Sequence, residues 1–462
     1  MKFDIRQFLH SGRGTRDMTV GPIAPAVLLF SLPIMAGNLF QMLYNTVDVI
    51  VVGNYVGKEA LAAVGSTTMI INILVFFFNG FSVGAGVVIG QLFGAGKKEQ
   101  LHDAVETTVA MTFVLCIVFT LIGVAGVKPM LRFMSTPDDV FYDASVYLTI
   151  YFAGISGLLI YNIGGGILRA VGNSTLPLFF LVLTSLLNIV LDLLFVIGFH
   201  AGIAGVAYAT VISQFLSAVL TLALLTRSAE LYRLVWRELG IRRSIVRQIF
   251  FVGLPAGIQS VLTAFSNVFV QSYVNAFGSA CMAGWGCYNK LDQFILLPVH
   301  SMSMAATSFV SQNIGAKKVR RAERGTLVII GLTLAVTAAV GTALFLFAPQ
   351  AVGWFTRDMQ VISYGTTFLQ ANVFFLLANC VNHTLAGALR GRGDSTGPMV
   401  IMLVNFVAVR QIYLFIVTRW ISNTPLLVGL GYPVGWCACM ITEILYYRIK
   451  YGKTVFLNKE AV

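Results

Sequence analysis

Twelve long apolar stretches divide this chain of 462 residues, and they constrain its fold more than any other feature. A helix that crosses the hydrocarbon core of a bilayer needs about 20 apolar residues. The chain is 57% hydrophobic and only 11% charged, too few charges to cover a soluble surface. The stretches lie near 24–50, 60–93, 104–126, 144–167, 176–199, 203–226, 246–272, 279–312, 326–348, 364–388, 398–419 and 426–449.

We therefore predict an all-α membrane protein with twelve transmembrane helices. If the N-terminus is cytoplasmic, most Lys and Arg residues fall in cytoplasmic segments, as the positive-inside rule requires. We expect a multi-pass protein of a prokaryotic plasma (inner) membrane with both termini cytoplasmic. The basic loops explain the net charge of +12, so we expect the lipid bilayer and no nucleic acid as a partner.

The second half of the chain repeats the first at an offset of 221 residues. Leu168-Arg169 through Pro177 returns as Leu389-Arg390 through Pro398, and the Leu32-Pro33 pair returns as Leu254-Pro255, one residue later. Six helices per half put both halves in the same orientation. We predict two six-helix bundles related by a pseudo-two-fold axis along the membrane normal, with a cleft between them.

These features predict five segments. They are a cytoplasmic N-terminal tail (1–23), an N-terminal lobe (24–226), a basic cytoplasmic linker (227–245), a C-terminal lobe (246–449) and a cytoplasmic C-terminal tail (450–462).

Acidic residues inside predicted spans are the sharpest indication of function, because each costs about 2.5–3.5 kcal/mol at the centre of a span. Asp48 shares one helical face with Asn38, Gln41 and Asn45, and Asp192 shares a face with Asn188. We expect Asp48, Asn188 and Asp192 to form one site for H⁺ or Na⁺ in the N-terminal lobe. The alternative is that both acids are merely interfacial.

The repeat predicts that the second lobe lacks such a site. Asp48 aligns with Val270 and Asp192 with Tyr413, so both acids are present in one lobe only. Uncharged polar residues of the spans are predicted to line a substrate cavity. They are Asn38, Gln41, Asn45, Asn79, Asn162, Gln259, Thr263, Asn267, Gln271 and Asn379.

The predicted spans of the second half also contain charged residues, among them Lys290, Asp292 and Arg410. Lys290 and Asp292 are two positions apart and cannot face each other on a helix, so their partners must lie on other helices. Together with Arg410 they form either a structural ion network or a part of the transport route.

Motifs of nucleotide, metal or catalytic sites are missing from the sequence. Gly94-Ala95-Gly96-Lys97-Lys98 lacks the spacing of a phosphate-binding loop, and no cysteine pair has the Cys-x-x-Cys spacing. We expect no enzyme, no cofactor and no metal beyond the coupling ion, H⁺ or Na⁺.

Several segments together resemble the MATE (multidrug and toxic compound extrusion) family over about residues 24–450. They are Leu32-Pro33 followed by Asn45-Thr46-Val47-Asp48, the loop Gly90-Gln91-Leu92-Phe93-Gly94-Ala95-Gly96 with its repeat at 311–316, and the segments 168–175 and 389–396. The resemblance implies export of cationic amphiphiles coupled to H⁺ or Na⁺ entry, with Asp48 as the coupling residue. Some members carry an acid in the seventh span, where this chain has Thr263.

We predict a secondary antiporter for small organic cations that functions as a monomer. Two alternatives stay open. A flippase for a lipid-linked precursor would need a more cationic cavity than Lys290 and Arg410 provide. A membrane-embedded enzyme would need clustered catalytic residues at one membrane face.

Overall fold

The computed structural model describes residues 16–456, and in this range the chain is helical and contains no β-strand. Within it, eleven helices are long and apolar enough to cross a membrane, and a bent helix pair supplies a twelfth span. The predicted all-helical membrane fold is confirmed. The helices are α1 (Ile23–Val51), α2 (Lys58–Gly94), α3 (Lys98–Phe133), α4 (Asp138–Ala153), α5 (Ile155–Ala170), α6 (Thr175–Leu193), α7 (Gly202–Arg227), α8 (Arg243–Asn275), α9 (Ser279–Gly315), α10 (Val319–Leu346), α11 (Ala348–Gly353), α12 (Met359–Asn372), α13 (Leu376–Gly391), α14 (Thr396–Leu403), α15 (Arg410–Ile416), α16 (Pro425–Gly429) and α17 (Gly431–Phe456).

Short segments of other helical types interrupt or extend these helices. Two 3₁₀ turns lie at Trp236–Glu238 and Val373–Phe375. Four π-helical turns lie at Val52–Val56, Leu194–Gly198, Val404–Val409 and Val417–Ile421.

The fourth predicted span, near 144–167, is a bent pair rather than one straight helix. Helices α4 and α5 meet at Gly154 at an angle of 48°. A Cβ at Gly154 would overlap the side chain of Val211, and one at Gly157 would meet the backbone of Gln214. The break therefore lets α7 approach the bend closely.

The repeat is visible in the turns as well as in the sequence. Gly57 and Gly278 precede α2 and α9 with φ of 132° and 92°, and Gly172 and Gly393 have φ of 85° and 88°. Glycine adopts such positive φ values without steric cost. The two halves therefore change chain direction by the same local geometry.

The described contacts divide the chain into two compact units at the two Leu-Pro sites. One contains residues 32–254 and the other contains residues 18–31 and 255 onward. This division differs from the predicted lobes, because residues 18–31 belong with the second half and 227–254 with the first. The predicted tails lie partly outside the described residues.

Each unit has its own apolar core, as expected of two lobes. In the first, one cluster surrounds Phe78 and Phe152 and a second surrounds Ile89 and Ile249. In the second, a single large cluster surrounds Trp285. Because each lobe has a core of its own, each can hold side chains of its polar residues in fixed positions.

Candidate functional site

Two acidic side chains meet inside the N-terminal lobe, one from α1 and one from α6. The Asp192 side chain is fully buried and that of Asp48 is partly buried. Their carboxyl groups lie close enough to interact with each other. The structure thus brings together the two acids that the sequence analysis assigned to one site.

Further buried polar atoms on α6 and α7 have no hydrogen-bond partner among the described residues. Asn188 is buried one turn before Asp192, and neither of its side-chain polar atoms has a hydrogen-bond partner among the described residues. The same holds for the hydroxyls of Ser185 and Ser213 and for Oε1 of Gln214. Buried polar groups are normally hydrogen-bonded. These oxygens are therefore available to a proton, a water molecule or a hard cation.

Two tyrosines, Tyr44 and Tyr147, lie near the carboxyl groups, and Tyr151 packs against Tyr147. Tyr147 and Tyr151 of α4 are buried and stack with their ring centroids 6.3 Å apart. Tyr147 is near enough to Asp48 and Asp192 to interact electrostatically with both, and Tyr44 lies beside Asp48. The aromatic rings limit access of water, which strengthens any charge interaction at the pair.

Charge at the pair is not balanced by a basic side chain. None of the ion pairs found among residues 16–456 involves Asp48 or Asp192. Two neighbouring buried carboxylates repel each other and have lost the hydration that would stabilise them. The arrangement therefore favours uptake of one positive charge, either a proton or a cation.

Each acid is closely followed by a π-helical turn, a feature that sequence periodicity did not reveal. Val52–Val56 begins four residues after Asp48, and Leu194–Gly198 begins two residues after Asp192. The two turns contact each other. Such turns are rare and occur often at functional sites because they re-aim neighbouring side chains.

The residues predicted to line the cavity differ in their exposure to solvent. Asn45, Asn79 and Asn267 are exposed, whereas Asn38, Gln41, Asn162, Thr263 and Gln271 are partly buried. Gln259 and Asn379, which were also predicted to line the cavity, are only 5% and 3% exposed. The Gln259 amide contacts Met402 Sδ across a packed helix contact, and the Asn379 face of α13 is buried within its lobe.

Asn162 takes part in a backbone contact that both halves share. Arg169 donates to Ser82 Oγ (3.4 Å), and the Ser82 hydroxyl donates to the Asn162 carbonyl (2.8 Å). Arg390 and Ser303 repeat this arrangement 221 residues later (3.3 Å). The arrangement joins helices within each half in the same way, so we regard it as structural.

Lys290, Asp292 and Arg410, which the sequence suggested as a possible ion network, have different surroundings in the structure. Lys290 is exposed, and no ion pair of the described chain joins these three residues. Arg410 is only 1% exposed and instead donates to Asn267 Oδ1 (2.9 Å) and Ser266 Oγ (3.3 Å). Sequence spacing gave no indication of this pairing, since it joins α15 to α8.

Comparisons with known proteins agree on one family. The family model described as MatE matches residues 33–194 and 255–416. The probable multidrug resistance protein YoeA of Bacillus subtilis (strain 168) is 27% identical over 92% of this chain and 93% of its own length. The multidrug export protein MepA of Staphylococcus haemolyticus (strain JCSC1435) is 23% identical over 92% of this chain and 93% of its own.

A solved structure shows the same fold. It is described as the outward-facing conformation of a multidrug resistance MATE family transporter of the MOP superfamily. It superposes with a TM-score of 0.90 at 24% identity, covering 96% of this chain and 99% of that one.

Proposed function

The chain belongs to the MatE family of multidrug efflux transporters, and from this we propose that it is a secondary antiporter driven by H⁺ or Na⁺ entry. Asp48 and Asp192 are the proposed ion-coupling residues, with Asn188 as an uncharged ligand. The supporting observation is the meeting of a buried and a partly buried acid that have no basic partner among the described residues.

Ion uptake in this proposal changes the charge of the N-terminal lobe. Without an ion, the paired carboxylates attract a positively charged substrate. When a proton or Na⁺ binds, the attraction is lost and the repulsion between α1 and α6 is relieved. A ligand shifts a conformational equilibrium only if it binds the two states unequally, and the carboxyl pair supplies that difference.

The proposed substrates are small organic cations with an apolar body. The relatives named above are described as multidrug resistance and multidrug export proteins. A site with two acids and neighbouring tyrosines suits such compounds, because carboxylates and aromatic faces both attract cations. We further propose an inner-membrane monomer with both termini cytoplasmic, on the basis of the basic loops.

Transport in proteoliposomes tests this function. Purified wild-type protein, Asp192→Asn and the control Asp138→Asn, which changes an exposed acid, are reconstituted in parallel. Ethidium efflux is followed with a pH gradient and a Na⁺ gradient imposed separately. We expect one of the two gradients to drive efflux by the wild type and the control, and neither to drive it in Asp192→Asn.

Gradient-driven efflux by Asp192→Asn at the rate of the control would show that the carboxyl pair is not the coupling site. Failure of both gradients with the wild type, despite downhill ethidium exchange, would rule out antiport by H⁺ or Na⁺.

A further inference from the structure

The internal repeat shows which residues of the C-terminal lobe occupy the positions corresponding to Asp48 and Asp192. Before the π-helical turn Val404–Val409 the repeat offset is 221, as with Thr175 and Thr396. A π-helical turn takes up one extra residue relative to an α-helix. In agreement with this, the segments matched by the family model end at residues 194 and 416, which are 222 residues apart.

This register changes the alignment predicted from sequence. Asp192 corresponds to Leu414 rather than to Tyr413, and Asn188 corresponds to Arg410. On the other helix the offset is 222 throughout, so Asn45 corresponds to Asn267 and Asp48 to Val270. The C-terminal lobe has therefore replaced both acids by apolar residues and the buried amide by an arginine.

Arg410 reaches toward the helix that corresponds to α1. Its Nη1 donates to Asn267 Oδ1 at 2.9 Å and to Ser266 Oγ at 3.3 Å. Its guanidinium carbon lies 4.4 Å from the ring centroid of Tyr432 and 5.4 Å from that of Phe406. An amide oxygen, a hydroxyl and aromatic faces are the groups that surround a bound cation in a protein.

The positive charge of Arg410 is not paired with a carboxylate in any ion pair within residues 16–456. Its Nε has no hydrogen-bond partner among the described residues. Two acids of the same lobe, the partly buried Asp292 and the buried Glu443, form none of these ion pairs either. A buried charge held by neutral groups at span depth is costly, which points to a role beyond packing.

We propose that the Arg410 guanidinium is a built-in cation that permanently occupies, in the C-terminal lobe, the position of the coupling ion in the N-terminal lobe. The inference rests on the ion-coupling function proposed for Asp48 and Asp192. It confines the response to H⁺ or Na⁺ to one lobe.

A guanidinium suits this role better than an amine. It keeps its proton throughout the physiological pH range, and its fixed planar donors bind several acceptors at once. The position of Arg410 would then keep one positive charge throughout the physiological range of pH and at every Na⁺ concentration. In the N-terminal lobe, by contrast, the coupling ion binds and dissociates. The ion gradient therefore acts on the conformation through this lobe.

Chemical rescue of Arg410→Ala tests the inference. The substitution leaves Asn267, Ser266 and the two rings without their cation. Millimolar guanidinium should raise the Tm of Arg410→Ala by about 2–4 °C and leave the wild type unchanged. Urea has nearly the same shape and similar donors but no charge, so it should not rescue. Sodium chloride at equal ionic strength controls for screening.

A second pair of variants covers the case in which Arg410→Ala does not fold. Arg410→Lys keeps the charge, whereas Arg410→Met keeps most of the volume without it. We expect Arg410→Lys to retain gradient-driven ethidium efflux and Arg410→Met to lose it together with thermal stability. A purely structural role for the side chain's volume would make Met at least as good as Lys.

Rescue by urea equal to that by guanidinium, or Arg410→Met matching the wild type, would overturn the inference. The rescue is also measured with Asp192→Asn present. If Asp192→Asn alone retains gradient-driven efflux, the proposed function fails, whatever guanidinium does. If guanidinium fails to rescue while Asp192→Asn abolishes coupling, only the role of Arg410 is wrong.

Discussion

Asp192 is the residue whose placement is most difficult to explain by stability alone. It is fully buried on a transmembrane helix, and neither of its carboxylate oxygens receives a hydrogen bond from another described donor. Leaving a buried polar group unsatisfied costs about 1–3 kcal/mol, and more when it is charged. We therefore expect that Asp192 lowers the stability of the fold and is required for function.

Replacing Asp192 by Asn should therefore stabilise the protein while it abolishes coupling. In buffer at alkaline pH without Na⁺, we expect the Tm of Asp192→Asn to exceed that of the wild type by about 2–4 °C, since the repulsion from Asp48 is removed. Asp48→Asn should act in the same direction. Thermal unfolding in detergent measures both.

The two acids should not behave additively. Because either substitution removes the repulsion, the double variant should gain little Tm beyond the better single variant. Independent, summing effects on Tm would mean that the two carboxyl groups do not share one site. Asp138→Asn, at an exposed position, provides the baseline.

Helical spacing was enough to group Asp48 and Asp192 on their helices, and to set Asn188 beside Asp192. It did not predict the burial of Gln259 and Asn379, because a polar residue on a span can face a neighbouring helix as easily as a cavity. The reach of Arg410 to Asn267 was not predictable, since long side chains connect helices in ways that periodicity does not encode.

At the scale of elements, one helix contact of the N-terminal lobe depends on the absence of side chains. A Cβ at Gly84 of α2 would overlap the carbonyl oxygen of Ile249 and the backbone of Gly253 in α8. Small residues at such crossings let membrane helices pack closely. The first turns of α8 are thereby held against α2.

Gly84→Ala should lower stability by about 1–3 kcal/mol, because the backbones must separate to admit the methyl group. Gly65→Ala, in the same helix, is the matched control. A Cβ at Gly65 meets nothing within 4 Å, so this change should be neutral or stabilise by up to about 1 kcal/mol. Equal Tm values for the two variants would contradict the close contact.

The turn between α13 and α14 is fastened to α17 by an acid outside the spans. Asp394 accepts hydrogen bonds from the Gly397 N–H (3.0 Å), Tyr446 (2.8 Å) and Lys450 (2.7 Å). Partial burial raises the pKa of Asp394, but the hydrogen bonds from Lys450 and Tyr446 outweigh it, so the pKa lies below its usual value. The ionised acid therefore stabilises the folded state.

Asp394→Asn should cost about 1 kcal/mol at neutral pH, a modest figure because Lys450 is half exposed. Since folding lowers the pKa, the stabilisation is present above the unfolded pKa of about 3.9 and is lost as pH falls through the lower folded value. The Tm gap between wild type and variant should then close below about pH 4. A gap independent of pH would indicate loss of shape rather than charge.

Hydropathy located the spans, since each must be apolar over the width of a bilayer. It did not locate the break at Gly154, which depends on how closely α7 packs there. Nor did it predict that residues 18–31 belong with the second half. The Leu-Pro pairs were identified as a repeat, yet their position at the division between units follows only from tertiary contacts.

For the whole molecule, the two lobes share a fold and differ in charge at corresponding positions. The N-terminal lobe has Asp48 and Asp192 where the C-terminal lobe has Val270 and Leu414, and Arg410 replaces Asn188. If the proposed ion site is correct, the duplicated fold carries a variable charge at this location in one half and a fixed charge in the other. One ion site would then be enough to bias the transporter.

Ion release on substrate binding tests the Asp48–Asp192 pair most directly. Ethidium is added to purified protein in weakly buffered detergent solution, with H⁺ and Na⁺ electrodes recording release and fluorescence confirming binding. We expect the wild type and Arg410→Lys to release one of the two ions as ethidium binds, and Asp192→Asn to bind ethidium and release neither. Equal release by Asp192→Asn and wild type would show that the coupling ion binds elsewhere.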